Sequence, residues 1–183
     1  MINLNYITYQ TFPAFTANSI QTMANIKYLI KNQINVSLYF PLREETSSEN
    51  LDELKKFYSI EEEFKAYGVQ HNLPFGKFKI FNRTLFIISH LIWSYRTVKA
   101  VSNEKPKSEL FFTRSDWVFY FLSKQNRKVV YECHQFTKIR KMIINLALKN
   151  DTSKIIFLNT HLKKDYEEKE EELVSGSVFR EDI

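Results

Sequence analysis

Short β-prone runs alternate with helical stretches along nearly the whole chain, and that alternation restricts the fold more than any other feature. Leu4, Tyr6 and Thr8 fall in a stretch closed by Pro13, which reads as a first strand and its loop. Asn18 opens a predicted helix with Gln21 in capping-box position; Ile20, Met23, Ala24, Ile26 and Ile30 share one broad face suited to packing on a sheet. Residues 34–40 alternate as a second strand stopped by Pro41, and the polar residues 43–52 form a surface loop. Residues 51–57 and 60–67 read as short helices with Gly68 as a C-cap, before a weak strand over 69–73. A long helix over 82–101, apolar on nearly all sides, is expected to be enclosed between the sheet and further structure. Strands are then expected over 110–113, 129–133 and 155–158, with helices opened by Ser115, spanning about 138–149, and capped by Asn159 or Thr160. This pattern predicts βαβ units and an α/β fold: a doubly wound, mostly parallel, Rossmann-like sheet of about six strands, with helices on both faces. The predicted domain covers 1–164, followed by an acidic C-terminal segment over 165–183.

Composition narrows the class. A chain of 183 residues, 44% hydrophobic and 26% charged, supports one domain with a substantial core rather than a disordered or collagen-like chain. A single cysteine, Cys133, excludes an internal disulfide framework and a multi-cysteine zinc site, and suits a reducing cytoplasm. No basic-then-apolar leader opens the chain, so export is not expected. The longest apolar run, residues 85–93, is interrupted by Ser89 and His90 and falls short of the roughly 20 residues of a spanning helix. The net charge of +5 conceals an asymmetry: from Asp165 onward there are 8 acids and 2 bases, leaving 24 bases against 13 acids, a balance of +11, on residues 1–164. Such a body attracts nucleotide phosphates, acidic glycans, anionic lipid or nucleic acid; a generally lysine-rich surface accounts for the balance equally well.

In an open parallel sheet, ligands bind outside the carboxyl ends of the strands, where helix N-termini present unpaired N–H groups. The informative segments are therefore 10–19, Arg114 with Ser115, 132–135 and 159–161. There is no G-x-G-x-x-G or P-loop, and the 3 glycines (Gly68, Gly76, Gly176) leave none after the first strand, which argues against a dinucleotide fold or a P-loop NTPase. No H-E-x-x-H or histidine-rich tract predicts a metal, and no G-x-S-x-G predicts a hydrolase elbow. Nucleic-acid signatures are also missing. What remains is the β-branched run from Val129 that carries Glu132 and then His134 to a strand's carboxyl end. Either the two are a satisfied pair fixing a loop, or His134 acts as base, donor or substrate anchor near neutral pH.

Three stretches together resemble the N-terminal domain of family-4 glycosyltransferases with the GT-B fold. They are the opening from Tyr6 through Ala17-Asn18-Ser19-Ile20-Gln21, the pair Phe111-Phe112-Thr113-Arg114-Ser115 with 129–134 ending in an E-x-H-like turn, and residues 155–163 with Asn159-Thr160-His161. The resemblance implies one half of an enzyme of polysaccharide biosynthesis, a hexosyltransferase-like protein moving a sugar from a nucleotide-sugar co-substrate to a sugar or lipid-linked glycan acceptor. It implies retention of configuration, with no other cofactor and no bound metal. The donor would be held by a second domain or chain, and residues 174–183 resemble the junction where that domain begins, so the isolated chain is expected to be inactive. His134 would lie beside the reacting sugar as the catalytic residue, with Phe15, Thr16, Asn18, Ser19, Arg114, Glu132 and Thr160 on the acceptor side. The first loop, residues 11–17, lacks the glycines common in that family, which points to shaping of the acceptor; Phe12 and Phe15 either stack on a sugar or lipid, or pack. Lys77, Lys79, Arg83, Arg96 and Lys99 flank the long helix, so a cytoplasmic chain could meet anionic lipid at the inner membrane face, although an internal helix with solvated ends explains them as well. No nucleic-acid partner is expected. The alternative reading is a non-catalytic doubly wound binding or regulatory domain; Tyr9-Gln10 lacks the clustered acids of a phosphoacceptor receiver.

Overall fold

Each strand is short and is followed by a helix that returns the chain to the same end of the sheet, so neighbouring strands pair in parallel. In a computed structural model, which describes residues 2–73, 75, 82–103 and 110–168, six strands form one sheet. They are β1 (Ile2–Ile7), β2 (Ile34–Leu42), β3 (Lys65–Gln70), β4 (Leu110–Thr113), β5 (Val129–Cys133) and β6 (Ser153–Phe157). All pairings are parallel, in the order β3-β2-β1-β4-β5-β6. The fold is thus the expected doubly wound Rossmann-like sheet, and its order reverses between β1 and β4.

Alternation along the strands divides the core in two. Leu4, Tyr6, Val36, Leu38 and Phe40 face α1 (Ala17–Lys31) and α2 (Leu51–Tyr58), meeting Met23, Ile26 and Leu54. Ile7, Tyr39, Phe111, Tyr131 and Cys133 face the other way, against α3 (Asn82–Ser102), α4 (Asp116–Lys124), α5 (Lys138–Leu148) and α6 (Thr160–Glu168). Burial on both faces suits the β-branched run of β5, whereas β1 and β2 interleave Asn3, Asn5, Asn35 and Ser37 with their apolar residues. Each fully buried large side chain contributes about 1.5–3 kcal/mol. On the α1–α2 face, Ile156 and Leu158 of the β6 edge stay 50% and 47% exposed.

Five expectations are corrected. Thr16, not Asn18, caps α1: its hydroxyl accepts from the Ser19 N–H, and its carbonyl accepts from Ile20. Starting from that cap, the inward positions are Ser19, Thr22, Met23 and Ile26, while Ile20 is 49% exposed and Ala24 faces solvent. Residues 60–67 do not form a helix; α2 ends at Ser59 with φ 53°, and β3 begins at Lys65. Gly68 therefore sits inside a strand rather than at a C-cap, because a Cβ there would lie 2.5 Å from the Leu42 side chain. β2 runs through Pro41 to Leu42; its pairing with β1 ends at Tyr39, so Pro41 lies where only β3 remains alongside.

The long helix spans the expected residues, but its outer side is open. Ser89, Ser94 and Thr97 are fully buried while Ile87, Ile88 and Tyr95 are exposed. Asn159 caps α6, accepting from the Leu162 N–H at 2.8 Å. Lys77, Lys79 and the junction-like stretch 174–183 lie outside the described residues. Since Thr16 carries the α1 cap, we expect Thr16→Ala to lower unfolding free energy by about 1 kcal/mol. Asn18→Ala should stay within about 0.5 kcal/mol. Urea denaturation followed by circular dichroism checks the contrast.

Candidate functional site

The reversal of strand order opens a crevice outside the carboxyl ends of β1 and β4, and the residues following β4 and β5 enter it from the α1 side. Arg114 is the centre of that arrangement. Its side chain is 4% exposed, and its Nη1 donates to the Asn18 carbonyl (2.9 Å) and Thr22 Oγ1 (3.1 Å). Its Nη2 donates to Gln21 Oε1 at 3.1 Å and to His134 Nδ1 at 2.7 Å, with Asn18 Oδ1 at 3.4 Å. An arginine can only donate, so Nδ1 is the accepting nitrogen and a neutral His134 carries its proton on Nε2. That atom lies 3.2 Å from Glu132 Oε1, in close contact but without the alignment of a full hydrogen bond.

Glu132 closes the network. Its Oε2 accepts from Asn25 Nδ2 at 3.3 Å and sits 3.7 Å from Arg114 Nε. Burial pushes the carboxyl pKa up, but His134, the Arg114 charge and Asn25 outweigh it and hold the group below its ordinary value. The Tyr6 hydroxyl lies on the same side, and burial together with the Glu132 charge pushes it up to about 12. Glu132 also walls a hollow of about 260 Å³ with Asn25, Tyr28, Phe112 and Ile156, opening toward the exposed β6 edge.

The sheet thus brings Asn18, Arg114, Glu132 and His134 together. Thr16 and the buried Ser19 support them from the first loop: the two hydroxyls are 2.8 Å apart, and Ser19 Oγ reaches the Thr11 carbonyl. Phe15 points elsewhere; it is 83% exposed and its ring lies 4.2 Å from that of Phe57 on α2. Phe12 is core, fully buried against Phe40 and Tyr58, and so is not a stacking platform. Thr160 opens α6 beyond β6, outside the Arg114 network. Gln21, Thr22 and Asn25 were not foreseen. With Asn18 they form a polar stripe at helical spacing along α1, which is the signal that could have revealed them.

A second polar cluster lies across the sheet, around Tyr9. The Tyr9 hydroxyl is 2.6 Å from His71 Nε2, and its ring stacks on His90 at 4.4 Å. His90 Nε2 is 2.6 Å from Ser115 Oγ, and Asp116 Oδ1 is 3.9 Å from His90 Nδ1. The order serine, histidine, aspartate invites comparison with a nucleophilic triad, but three facts oppose it. The aspartate is beyond hydrogen-bond reach of the imidazole, and Asp116 instead accepts from Arg140 Nε at 3.3 Å. Ser115 Oγ already caps α4, accepting from Val118 N–H. All three side chains are buried. The cluster anchors α3 to the start of α4. Beside it Arg43 lies over the Tyr9 and Phe75 rings, at the wall of a hollow of about 610 Å³ that also meets Glu44, Glu45 and Thr46. Among the described residues, no three His, Cys, Asp or Glu side chains gather as a metal site.

The chain matches no protein-family model, and no curated protein matches its sequence. The topology therefore carries the fold, and the site must be argued from its own chemistry.

Two buried groups give the protein a pH signature. Burial lowers His90 to about 4, with the Arg140 and Arg43 charges adding to the effect and Asp116 opposing it. Its folded pKa lies below its unfolded value, so the unfolded chain binds the extra proton and stability falls as pH drops from about 6.5 to about 4, by on the order of 3 kcal/mol. Glu132 is also depressed, so the stability it contributes is present above its unfolded pKa and is lost only as pH falls through its lower folded value. We expect His90→Gln to flatten the unfolding midpoint between pH 6.5 and 4 while leaving the steeper acid limb below it. Urea titrations at stepped pH read this directly.

Proposed function

We propose that these residues form the acceptor-binding half of a glycosyltransferase that moves a sugar from a nucleotide-sugar donor to a glycan or lipid-linked acceptor, with retention. The observation that carries this reading is the Arg114–Glu132–His134 network at the point where strand order reverses. Around it stand the amides and hydroxyls of Asn18, Gln21, Thr22 and Asn25. Short neutral polar groups on a rigid helix, braced by a buried ion pair, suit the closely spaced hydroxyls of a sugar. The motif order along the chain adds to that support.

In this reading the donor is held by a second domain or chain facing the crevice. The bond from the sugar's anomeric carbon to the diphosphate breaks, the electron pair leaves with the nucleotide diphosphate, and the acceptor oxygen bonds to the same face of the anomeric carbon. The acceptor's proton passes to the departing phosphate oxygen. The contribution of these residues is orientation of the acceptor. His134 is then a positioning residue: its Nδ1 lone pair is taken by Arg114, which leaves Nε2 as a donor.

The contacts that Arg114, Glu132 and His134 make with one another also favour a second reading, a non-catalytic binding or regulatory domain built on the same crevice. NMR titration of the chain with oligosaccharides and with nucleotide sugars separates the two. The transferase reading expects sugar-induced shifts at Gln21, Asn25 and His134, weak response to nucleotide sugar, and no turnover by these residues alone. Glu132→Gln should weaken sugar binding about tenfold. Turnover of a nucleotide sugar by this chain alone, or shifts confined to the Tyr9 side of the sheet, would overturn it.

A further inference from the structure

We propose that the outer surface of the α3–α4–α5 layer is a docking face for an anionic lipid bilayer. The proposal is independent of the sugar-transfer reading and stands or falls without it.

The argument begins with the orientation of α3. Its inward side mixes apolar and polar residues: Trp93, Val98 and Val101 join the core, Ser89, Ser94 and Thr97 are fully buried, and His90 meets Ser115. Its outward side nevertheless carries Ile87, Ile88 and Tyr95, at 39%, 44% and 53% exposure. A water-facing helix ordinarily keeps such large apolar residues on its inner side. α5 repeats the feature: Ile139, Met142 and Leu146 recur at helical spacing and are 57%, 58% and 42% exposed. α4 packs between the two, and its outward residues Trp117, Tyr120 and Phe121 are partly exposed. Tyr95 meets Phe121 edge-on at 5.4 Å, and Trp117 lies 6.3 Å from both Phe121 and Tyr120. The apolar surface therefore runs from α3 onto α4, with the α5 stripe on the other flank of α4.

Charge identifies the occupant. Arg83, Arg96, Lys99, Lys124, Lys138 and Lys149 stand exposed on or at the ends of these three helices. The helices hold one acid, Asp116, which is buried and paired with Arg140. Eight acids instead crowd residues 44–63, around α2 on the other face of the sheet. A second copy of the chain would set this basic face against itself. A nucleic acid would use the cations but leave the isoleucines, Met142 and Leu146 without a partner. A negatively charged interface takes both: apolar side chains enter the acyl boundary, cations meet headgroups, and tryptophan and tyrosine sit at the junction. No helix among the described residues is long and apolar enough to cross a membrane, so the contact would be parallel to the surface.

Vesicle co-sedimentation of the full chain tests this, comparing phosphatidylcholine alone with phosphatidylcholine doped with phosphatidylglycerol. We expect binding to the doped vesicles that weakens as salt rises. Trp93 is 1% exposed and Trp117 is the other of 2 tryptophans, so a blue shift on binding reports Trp117. Arg96→Ser/Lys99→Ser/Lys138→Ser should lower partition by roughly 100-fold, about fivefold per cation. Ile88→Ser/Met142→Ser should lower it at least about tenfold and abolish the blue shift. These positions are exposed, and unchanged urea midpoints check that the variants fold. Equal binding to both vesicle types, or binding that neither variant reduces, overturns the proposal. So does dimerisation lost in Ile88→Ser/Met142→Ser, or oligonucleotide binding that survives it while vesicles are ignored.

Discussion

The Arg114 guanidinium is the tie on which the carboxyl end of this sheet depends. It leaves β4, crosses to the first turns of α1 and meets the residues that follow β5, so three segments far apart in sequence share one cation. A charge with 4% of its side chain exposed is tolerable only with a counter-ion and a full set of acceptors, and here Glu132 and four neutral groups supply them. Removing Glu132 would strand that charge, whereas removing an amide would loosen only one contact. The crevice owes its geometry to this ranking of interactions.

Much of the architecture was legible because short β-prone runs alternate with helical stretches, the pattern of βαβ units. The errors came where one residue type serves two purposes. Glycine ends helices and also permits close approach, and Gly68 does the second, yielding to Leu42. Asparagine and threonine both cap helices, and choosing Asn18 over Thr16 rotated the expected buried face onto Ile20. The rule that ligands gather at strand ends led to Arg114, Glu132 and His134, but not to the pairing of Arg114 and Glu132 with residues of α1. That pairing joins residues 96 and 107 positions apart, Arg114 to Asn18 and Glu132 to Asn25, and no local pattern encodes such contacts. Gln21 and Asn25 lie beside the apolar residues of α1, whose periodicity is the stronger local signal.

The exposure of isoleucines on α3 has a local cause. Its inward serines and histidine hold other parts of the structure: Ser89 accepts from the Phe75 N–H, and His90 and Ser94 approach Ser115 at the start of α4. With Trp93, Val98 and Val101 also packed in the core, that inner side is filled, and Ile87 and Ile88 stand outside it. The same demand at Tyr9 and His71 makes this side of the sheet end a bracket, while the α1 side carries the more open crevice and its hollow.

The ion pair within that crevice has one further consequence. Arg114 and Glu132 offset each other, and His134 Nδ1 accepts from Arg114, so the pocket presents mainly dipoles. A guest gripped by dipoles must match their directions, and dissolved ions cannot compete for the place. Selection there would follow the stereochemistry of the guest rather than its charge, on a body whose overall basicity suggests the opposite.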